Sequence, residues 1–256
     1  MATTHEVHVA GGSVTKRYTS WDRGEHIREW SVLLRLHRHA PGLGPAPLAA
    51  RLDAVPPVVA MSVVPGAPLP ERPGAAVLGA LAAALRTLWM VPVDGEPAVD
   101  GWHDDLSFGR PLLGFDWPGA AGEIAAALAA AVDWWRGPDP ALLAERPRLL
   151  VLGHRDPNRA NYLWDGSRVR IVDLEDARTS DPATELALLC EHLSNRAFDL
   201  DALLSHFDVD RDRLRAARRL WAMYWLWLLR PDGGPAAARN PRATPAAQAL
   251  RAGSHA

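Results

Sequence analysis

The chain is poor in two residue types that often carry specialised chemistry. It has one cysteine, Cys190, in 256 residues. No intrachain disulfide can form and no cysteine metal cluster exists. Cys190 lies in an apolar run with helical spacing, so a buried structural thiol is expected. There is a single lysine, Lys16, among 28 basic residues. Everywhere else arginine supplies the positive charge, and the two are not interchangeable where a compact charge must fit among phosphates. No run of about 18 apolar residues appears, so no membrane-spanning helix is expected. The opening MATTHEVHV lacks the basic segment and apolar core of a secretion signal, and the expected location is cytoplasmic. A net charge of −2 carries no nucleic-acid or membrane signature. No internal repeat or heptad array is found.

What is present is concentrated in Leu150 to Asp176, LVLGHRDPNRANYLWDGSRVRIVDLED. Val151 and Leu152 lead into a polar loop with Asp156 and Asn161. Tyr162 to Trp164 and Arg168 to Val172 then read as two strands turning at Asp165-Gly166, because Gly tolerates the positive φ of a tight hairpin turn. Asp173 follows the second strand. Folding the hairpin gathers Asp156, Asn161 and Asp173 at one end. Such a set suits phosphoryl transfer, which needs a carboxylate to take the proton of the attacking hydroxyl and hard oxygen ligands for Mg²⁺. Asp156 is the expected catalytic base. Asn161 and Asp173 are the expected metal ligands.

HRDPNRAN followed by IVDLED resembles the catalytic loop and metal-binding segment of the aminoglycoside phosphotransferase and choline kinase family, relatives of protein kinases. That family usually has Gly where Arg155 stands. The downstream DPATELA from Asp181 resembles the family's Asp-Pro…Asp-Leu-Ala segment, with Glu185 replacing the second Asp. The resemblance is strongest over residues 153–187, and weaker over 16–36 and 58–69.

The resemblance implies an α+β, bilobal protein-kinase-like fold. Residues 1–65 would form a reduced N-terminal sheet lobe, 66–230 a mainly helical C-terminal lobe, and 231–256 a loose tail with a short helix near 246–251. It implies that Lys16, in the β-like run SVTKRY, contacts nucleotide phosphates and pairs with a helix glutamate. Arg28-Glu29-Trp30-Ser31-Val32-Leu33 resembles the family's Arg-Glu…Leu helix, which makes Glu29 the expected partner and Glu25 the fallback. That helix is expected from Trp21 to His39, capped by Ser20 or Asp22. Its apolar stripe would be Ile27, Trp30, Leu33, Leu34, Leu36 and His37. Ser62, Val63 and Val64 would form the hinge whose main-chain groups bind adenine.

Only 15 residues precede Lys16. His5 to Tyr18 therefore makes at most one hairpin, turning at Gly11-Gly12. Either the lobe is reduced or the true start lies upstream.

Strands are also expected at 48–52 and 57–64, and helices at 75–89, 123–135, 182–196, 200–207 and 210–230. Arg211, Arg213, Arg215, Arg218 and Arg219 should mostly solvate the face of the last helix opposite its apolar side. The irregular stretch 90–118 offers Trp102, His103, Asp104, Asp105, Phe108 and Trp117, either as an acceptor pocket or as a self-packed insertion. His154 is expected to be structural, bonded to backbone near the loop.

The functional expectation is an ATP- and Mg²⁺-dependent kinase acting on a small-molecule hydroxyl. The favoured acceptor is an aminoglycoside-type polycation, which would make the activity one of antibiotic resistance. Asp104, Asp105, Asp176, Asp181 and Glu185 are available to receive it, and Glu175 and Asp176 would add negative charge on the acceptor side. A choline-type amino alcohol is the alternative enzyme reading. A catalytically inactive kinase-like binding module is the alternative outside enzymes. No nucleic-acid or membrane partner is expected.

Overall fold

The computed structural model describes residues 5–94 and 102–230. In sequence order the first elements are β1 (His5–Ala10), β2 (Ser13–Tyr18), α1 (Glu25–His39), β3 (Pro47–Arg51), β4 (Val58–Ser62), β5 (Ala67–Pro68) and α2 (Ala75–Trp89). Short helices α3 (Leu106–Gly109) and α4 (Pro111–Gly114) follow, then α5 (Gly122–Arg136) and α6 (Asp139–Ala144). Next come β6 (Val151–Gly153), β7 (Tyr162–Trp164), β8 (Val169–Ile171) and β9 (Arg178–Ser180). The last helices are α7 (Pro182–Glu191), α8 (Leu200–Leu204) and α9 (Arg211–Leu228). The expected tail, 231–256 with its helix at 246–251, lies outside the described residues, as does 95–101 within the irregular stretch.

Packing divides the protein into two units. The first is Met1–Trp102, Leu149–Pro182 and Ala197–Phe207; the second is His103–Arg148, Ala183–Arg196 and Asp208–Ala256. Residues 1–65, the small lobe expected from the sequence, fall wholly within the first.

In the first unit, β1 and β2 form the expected hairpin. Gly11 and Gly12 take φ of 57° and 78°, and a two-residue turn with two positive φ values matches the twist of the strands it joins. The register sets Val7 opposite Lys16 and His5 opposite Tyr18. Strand side chains alternate, so Lys16 and Tyr18 share one face, and both are buried. β4 pairs with β2, and β3 with β4, in the antiparallel order β1-β2-β4-β3. A second sheet has the order β5-β7-β8, and β6 pairs with β9. Gly66 permits the second sheet: its φ is 126°, and a Cβ there would lie 3.0 Å from both the carbonyl carbon and the carbonyl oxygen of Trp164. Leu78, Leu81, Leu85 and Leu88 of α2 are buried at helical spacing. Arg86 donates to the His206 carbonyl at 2.9 Å, and Trp89 packs on Phe207 with ring centroids 5.1 Å apart.

Three expectations in this unit are corrected. Neither Ser20 nor Asp22 caps α1; Gly24, at φ 73°, precedes it without a side-chain cap. The buried face of α1 contains Glu25, His26, Glu29, Val32, Leu33 and Leu36, while Ile27 and Leu34 are each 46% exposed. A stripe drawn through apolar residues misses this phase because polar partners hold Glu29 inside. The hairpin turn falls one residue later than expected: Asp165 N–H donates to the Arg168 carbonyl at 3.3 Å, so Gly166 (φ 98°) and Ser167 reverse the backbone direction. The Asp165 carboxylate accepts from the main-chain N–H of Ser167 and Arg168, at 2.8 and 2.9 Å, and fixes the reversal.

In the second unit, α9 is capped by Asp210, whose carboxylate accepts from Arg213 N–H at 3.0 Å. Leu214, Ala217, Leu220 and Trp221 of α9 are buried. Two of its arginines do not solvate an outer face. Arg213 is 6% exposed and donates to the carbonyls of Leu142 and Glu145 at 2.7 and 3.1 Å, satisfying the end of α6. Arg218 donates to the buried carboxylate of Glu191 at 2.8 Å. α7 ends at Glu191, short of the expected 196, because His192 takes ψ 133° and its ring accepts from Ser194 N–H. Cys190 is fully buried, as expected. Among the described residues no helix is long and apolar enough to cross a membrane.

Candidate active site

The first unit contains every side chain expected to do chemistry. β2 aims Lys16 inward, and α1 presents Glu29 on its buried face. Lys16 Nζ donates to both Glu29 oxygens at 2.9 Å. Glu29 also accepts from the Tyr18 hydroxyl and, at 3.3 Å, from Leu174 N–H. Four hydrogen bonds from three donor groups satisfy this fully buried carboxylate without water. Glu25, the fallback partner, instead pairs with Arg23 at 2.8 Å. Tyr18 carried a legible signal that the motif reading missed, since it stands two residues from Lys16 on the same strand face. Burial lowers the affinity of Lys16 for its proton, but Glu29, Asp173 and Glu175 outweigh this and hold its pKa above the ordinary value. Lys16 is therefore an ammonium at neutral pH.

Lys16 also contacts Asp173. Asp173 has φ 61°, a left-handed conformation uncommon for a residue with a side chain. Burial pushes its carboxyl up, but Lys16 beside it prevails and holds it below the usual range. Asp173 is thus ionised and ready to bind a cation.

The loop after β6 supplies the other groups. Arg155 has φ 69° and Nη1 of its guanidinium donates to Ser180 Oγ at 3.3 Å. His154 is fully buried. Its Nδ1 accepts from Asp156 N–H at 3.2 Å, so Nε2 carries the hydrogen and donates to the Val172 carbonyl at 2.9 Å. One imidazole thereby ties the loop to the residue before Asp173, as expected for a structural histidine. Asn161 Nδ2 donates to Asp156 Oδ2 at 3.0 Å and to its carbonyl at 3.1 Å, leaving Oδ1 for a cation. Val172 N–H donates to the Asn161 carbonyl at 2.9 Å. These bonds bring the segments bearing Asp156, Asn161 and Asp173 together. Burial pushes the Asp156 carboxyl up, the neighbouring Asp173 adds to this, and His154 and Asn161 oppose it. A raised pKa suits a general base. Asn161 and Asp173 offer the hard oxygen donors that Mg²⁺ requires, so the residues fit that ion.

Glu175 stands beside the first two strands, against His5 and Lys16. It lies 3.0 Å from His5 Nδ1 and 3.8 Å from Lys16 Nζ. His5, in the first strand, carried no sequence signal, because its role depends on a contact with a residue about 170 positions away. Asp176 is paired loosely with Arg23 at 3.9 Å, and its carboxyl is pushed up by burial.

Of the expected hinge, Ser62 N–H donates to the Ala46 carbonyl and Val63 N–H to the Gly12 carbonyl, each at 2.9 Å. Val64 keeps its main-chain groups unbonded among the described residues. All three line a cavity of about 280 Å³ together with Leu36, Pro45 and Arg170. None of Lys16, Glu29, Asp156, Asn161 and Asp173 lines it.

Asp104, Asp105 and Glu185 belong to the second unit, as does most of the aromatic stretch. There Phe108 packs on Trp221 and Tyr224 with centroids 5.2 and 5.5 Å apart, and Phe115 meets Trp117 edge-on at 5.3 Å. The insertion is thus packed partly by its own aromatics and partly by α9.

Residues 16–224 match the family model described as "Phosphotransferase enzyme family". No curated protein matches this sequence. Among solved structures, a choline/ethanolamine kinase family protein from Mesorhizobium loti is similar at 19% identity and TM-score 0.68, covering 100% of this chain and 85% of that one. The aminoglycoside phosphotransferase APH(4)-Ia gives 17% and 0.65, covering 100% of this chain and 90% of that one. Choline kinase LicA from Streptococcus pneumoniae gives 14% and 0.63, with the same coverage. At these identities the likeness shows the fold: an α+β kinase-like arrangement with an N-terminal antiparallel sheet and a mostly helical C-terminal part, as expected from the sequence.

Proposed function

The chain belongs to the phosphotransferase enzyme family, and from that premise we propose that it transfers the γ-phosphoryl group of ATP to a hydroxyl of a cationic small molecule of the aminoglycoside type. The observation that carries this reading is the polar series Glu29–Lys16–Asp173 beside the Asp156–Asn161 pair, all in one unit.

Asp156 orients the acceptor hydroxyl and takes its proton as the oxygen forms its bond to the γ-phosphorus. The bond from that phosphorus to the bridging oxygen breaks, and the nucleoside diphosphate leaves. Lys16, held by Glu29, meets the phosphates with a compact positive charge. Asn161 and Asp173 would hold Mg²⁺, whose charge offsets that of the phosphates during transfer. Asn161 also keeps the Asp156 carboxylate in place. The Val64 backbone is the best-placed hinge group for an adenine edge, since the Ser62 and Val63 N–H groups are already used. An APH(4)-Ia mutant has been seen in ternary complex with AMP-PNP and hygromycin B, which supports an aminoglycoside acceptor here. Antibiotic resistance is the corresponding cellular role.

A choline-type amino alcohol is the second reading. It is favoured by the likeness to a choline/ethanolamine kinase family protein and to choline kinase LicA. ADP release measured over a panel of aminoglycosides, choline, ethanolamine and neutral sugars tests both. Turnover with an aminoglycoside supports the first reading. Turnover with choline alone supports the second, and turnover only with neutral sugars removes both.

A further inference from the structure

The first strand brings a nitrogen donor to the metal segment. His5 Nδ1 is 3.0 Å from Glu175 Oε2. One ligand atom from each of His5, Asp173 and Glu175 falls within 4.8 Å of the other two. That spacing lets three ligands share one ion. The three sit on two segments that cannot drift apart freely: β1 is locked to β2 by a full ladder, and Leu174 N–H is held by Glu29.

The position already attracts a cation. The Lys16 ammonium touches Asp173 and lies 3.8 Å from Glu175. Three carboxylates, Glu29, Asp173 and Glu175, converge on that one ammonium, and Asp156 and Asp176 add to the same field. Among the described residues, further positive groups against the cluster are Arg28, whose Nε donates to the Glu175 carbonyl at 2.6 Å, and Arg23 near Asp176. The first of these bonds goes to a main-chain oxygen, and Arg23 makes its short pair with Glu25. Carboxylates gathered in this way are stabilised by a further positive charge.

We propose that His5, Asp173 and Glu175 form a divalent-metal site with one imidazole nitrogen and two carboxylate ligands, and that this site binds a first-row transition ion such as Mn²⁺ more tightly than Mg²⁺. Mg²⁺ prefers an all-oxygen shell and sheds water reluctantly, whereas imidazole favours the transition ions. The inference deepens the phosphotransferase reading and rests on it only for Asp173 as a metal ligand. His5 becomes a metal-binding residue contributed by the strand that precedes the lysine strand.

The test uses Mn²⁺ alone, without nucleotide, on the full-length protein. Free Mn²⁺ is followed by its electron-spin resonance signal, and bound Mn²⁺ is probed for nitrogen coupling. The wild type should bind Mn²⁺ with nitrogen coupling visible. His5→Ala should abolish that coupling and weaken Mn²⁺ binding by about tenfold or more, the loss that removing even a supporting group produces. Mg²⁺ binding, read by competition, should change much less. Glu175→Gln, which keeps the shape of the side chain, should weaken Mn²⁺ binding while leaving the nitrogen coupling of any bound ion in place. Equal Mn²⁺ affinity and unchanged coupling in a folded His5→Ala variant would overturn the site. ATP binding by thermal shift separates the two readings. His5-dependent Mn²⁺ binding without any nucleotide effect upholds this site and sinks the phosphotransferase reading. Nucleotide binding with a His5-independent metal does the reverse.

Discussion

Glu29→Gln isolates the contribution of charge at the centre of the site. The substitution keeps the shape and removes one buried negative charge. In the wild type, all four bonds to Glu29 come from donors: Lys16 twice, the Tyr18 hydroxyl and Leu174 N–H. An amide has one oxygen, so its NH₂ must face Lys16 from one side. The Tyr18 hydroxyl can rotate to accept from it, but the ammonium cannot. Removing one partner of a buried ion pair costs about 3–5 kcal/mol. Asp173 still contacts Lys16 in the variant, which places the expected loss near the lower figure, about 3 kcal/mol. For a protein of this size that corresponds to a fall in melting temperature of about 6–12 °C. The assay is thermal unfolding followed by circular dichroism, with Lys16→Met and the double variant completing a cycle. The double variant should be clearly more stable than the sum of the single losses predicts, because residues in contact couple by about 0.5–3 kcal/mol. A loss below about 1 kcal/mol for Glu29→Gln, or additive effects in the cycle, would refute the claim that this pair anchors β2 to α1.

Other outcomes follow from the same geometry. Asp156→Asn should keep the bond to Asn161 and the fold while lowering turnover by about a hundredfold or more, the usual contribution of a general base; near-normal turnover would remove Asp156 from that role. Asp173→Asn should also fold, since Asn tolerates the left-handed backbone, but should lose metal-dependent nucleotide binding in a thermal-shift assay. The Asp156 carboxyl is raised by burial, so the acid limb of kcat/KM should lie above the ordinary aspartate value of about 3.9; a limb at or below that value would contradict the assignment. The Asp173 carboxyl is pushed up by burial and brought down further by Lys16, so its folded value lies below its unfolded one. Its stabilising effect is present above about pH 4 and is lost as pH falls through the depressed value, so urea denaturation of Asp173→Asn should depend less on pH in that window. Gly66→Ala combines a forbidding φ with contact against the Trp164 backbone and should cost about 2 kcal/mol or more, read from the urea midpoint.

Much of the site was written in local order. HRDPNRAN and IVDLED carry the residue types that the proposed chemistry needs, because a proton acceptor and hard oxygen ligands must be those residue types whatever fold carries them. The Gly11-Gly12 and Asp165-Gly166 turns followed from glycine's freedom at positive φ, the latter off by one residue. The single lysine marked its own strand, and the choice of Glu29 rested on the helix motif around it.

What the sequence could not determine were facts about which surfaces meet. The stripe on α1 was misread because an ion pair, not apolarity, decides which face of that helix is buried. Arg213 and Arg218 looked like solvated charges until the α6 carbonyls and Glu191 stood opposite them. His5 gave no signal at all: only the strand register sets it opposite Tyr18, and only the tertiary fold carries Glu175 back to it. Local chemistry is encoded in neighbouring residues, so a motif discloses it. The energy of a buried charge depends on partners far away in the sequence, and those are chosen only when the protein folds.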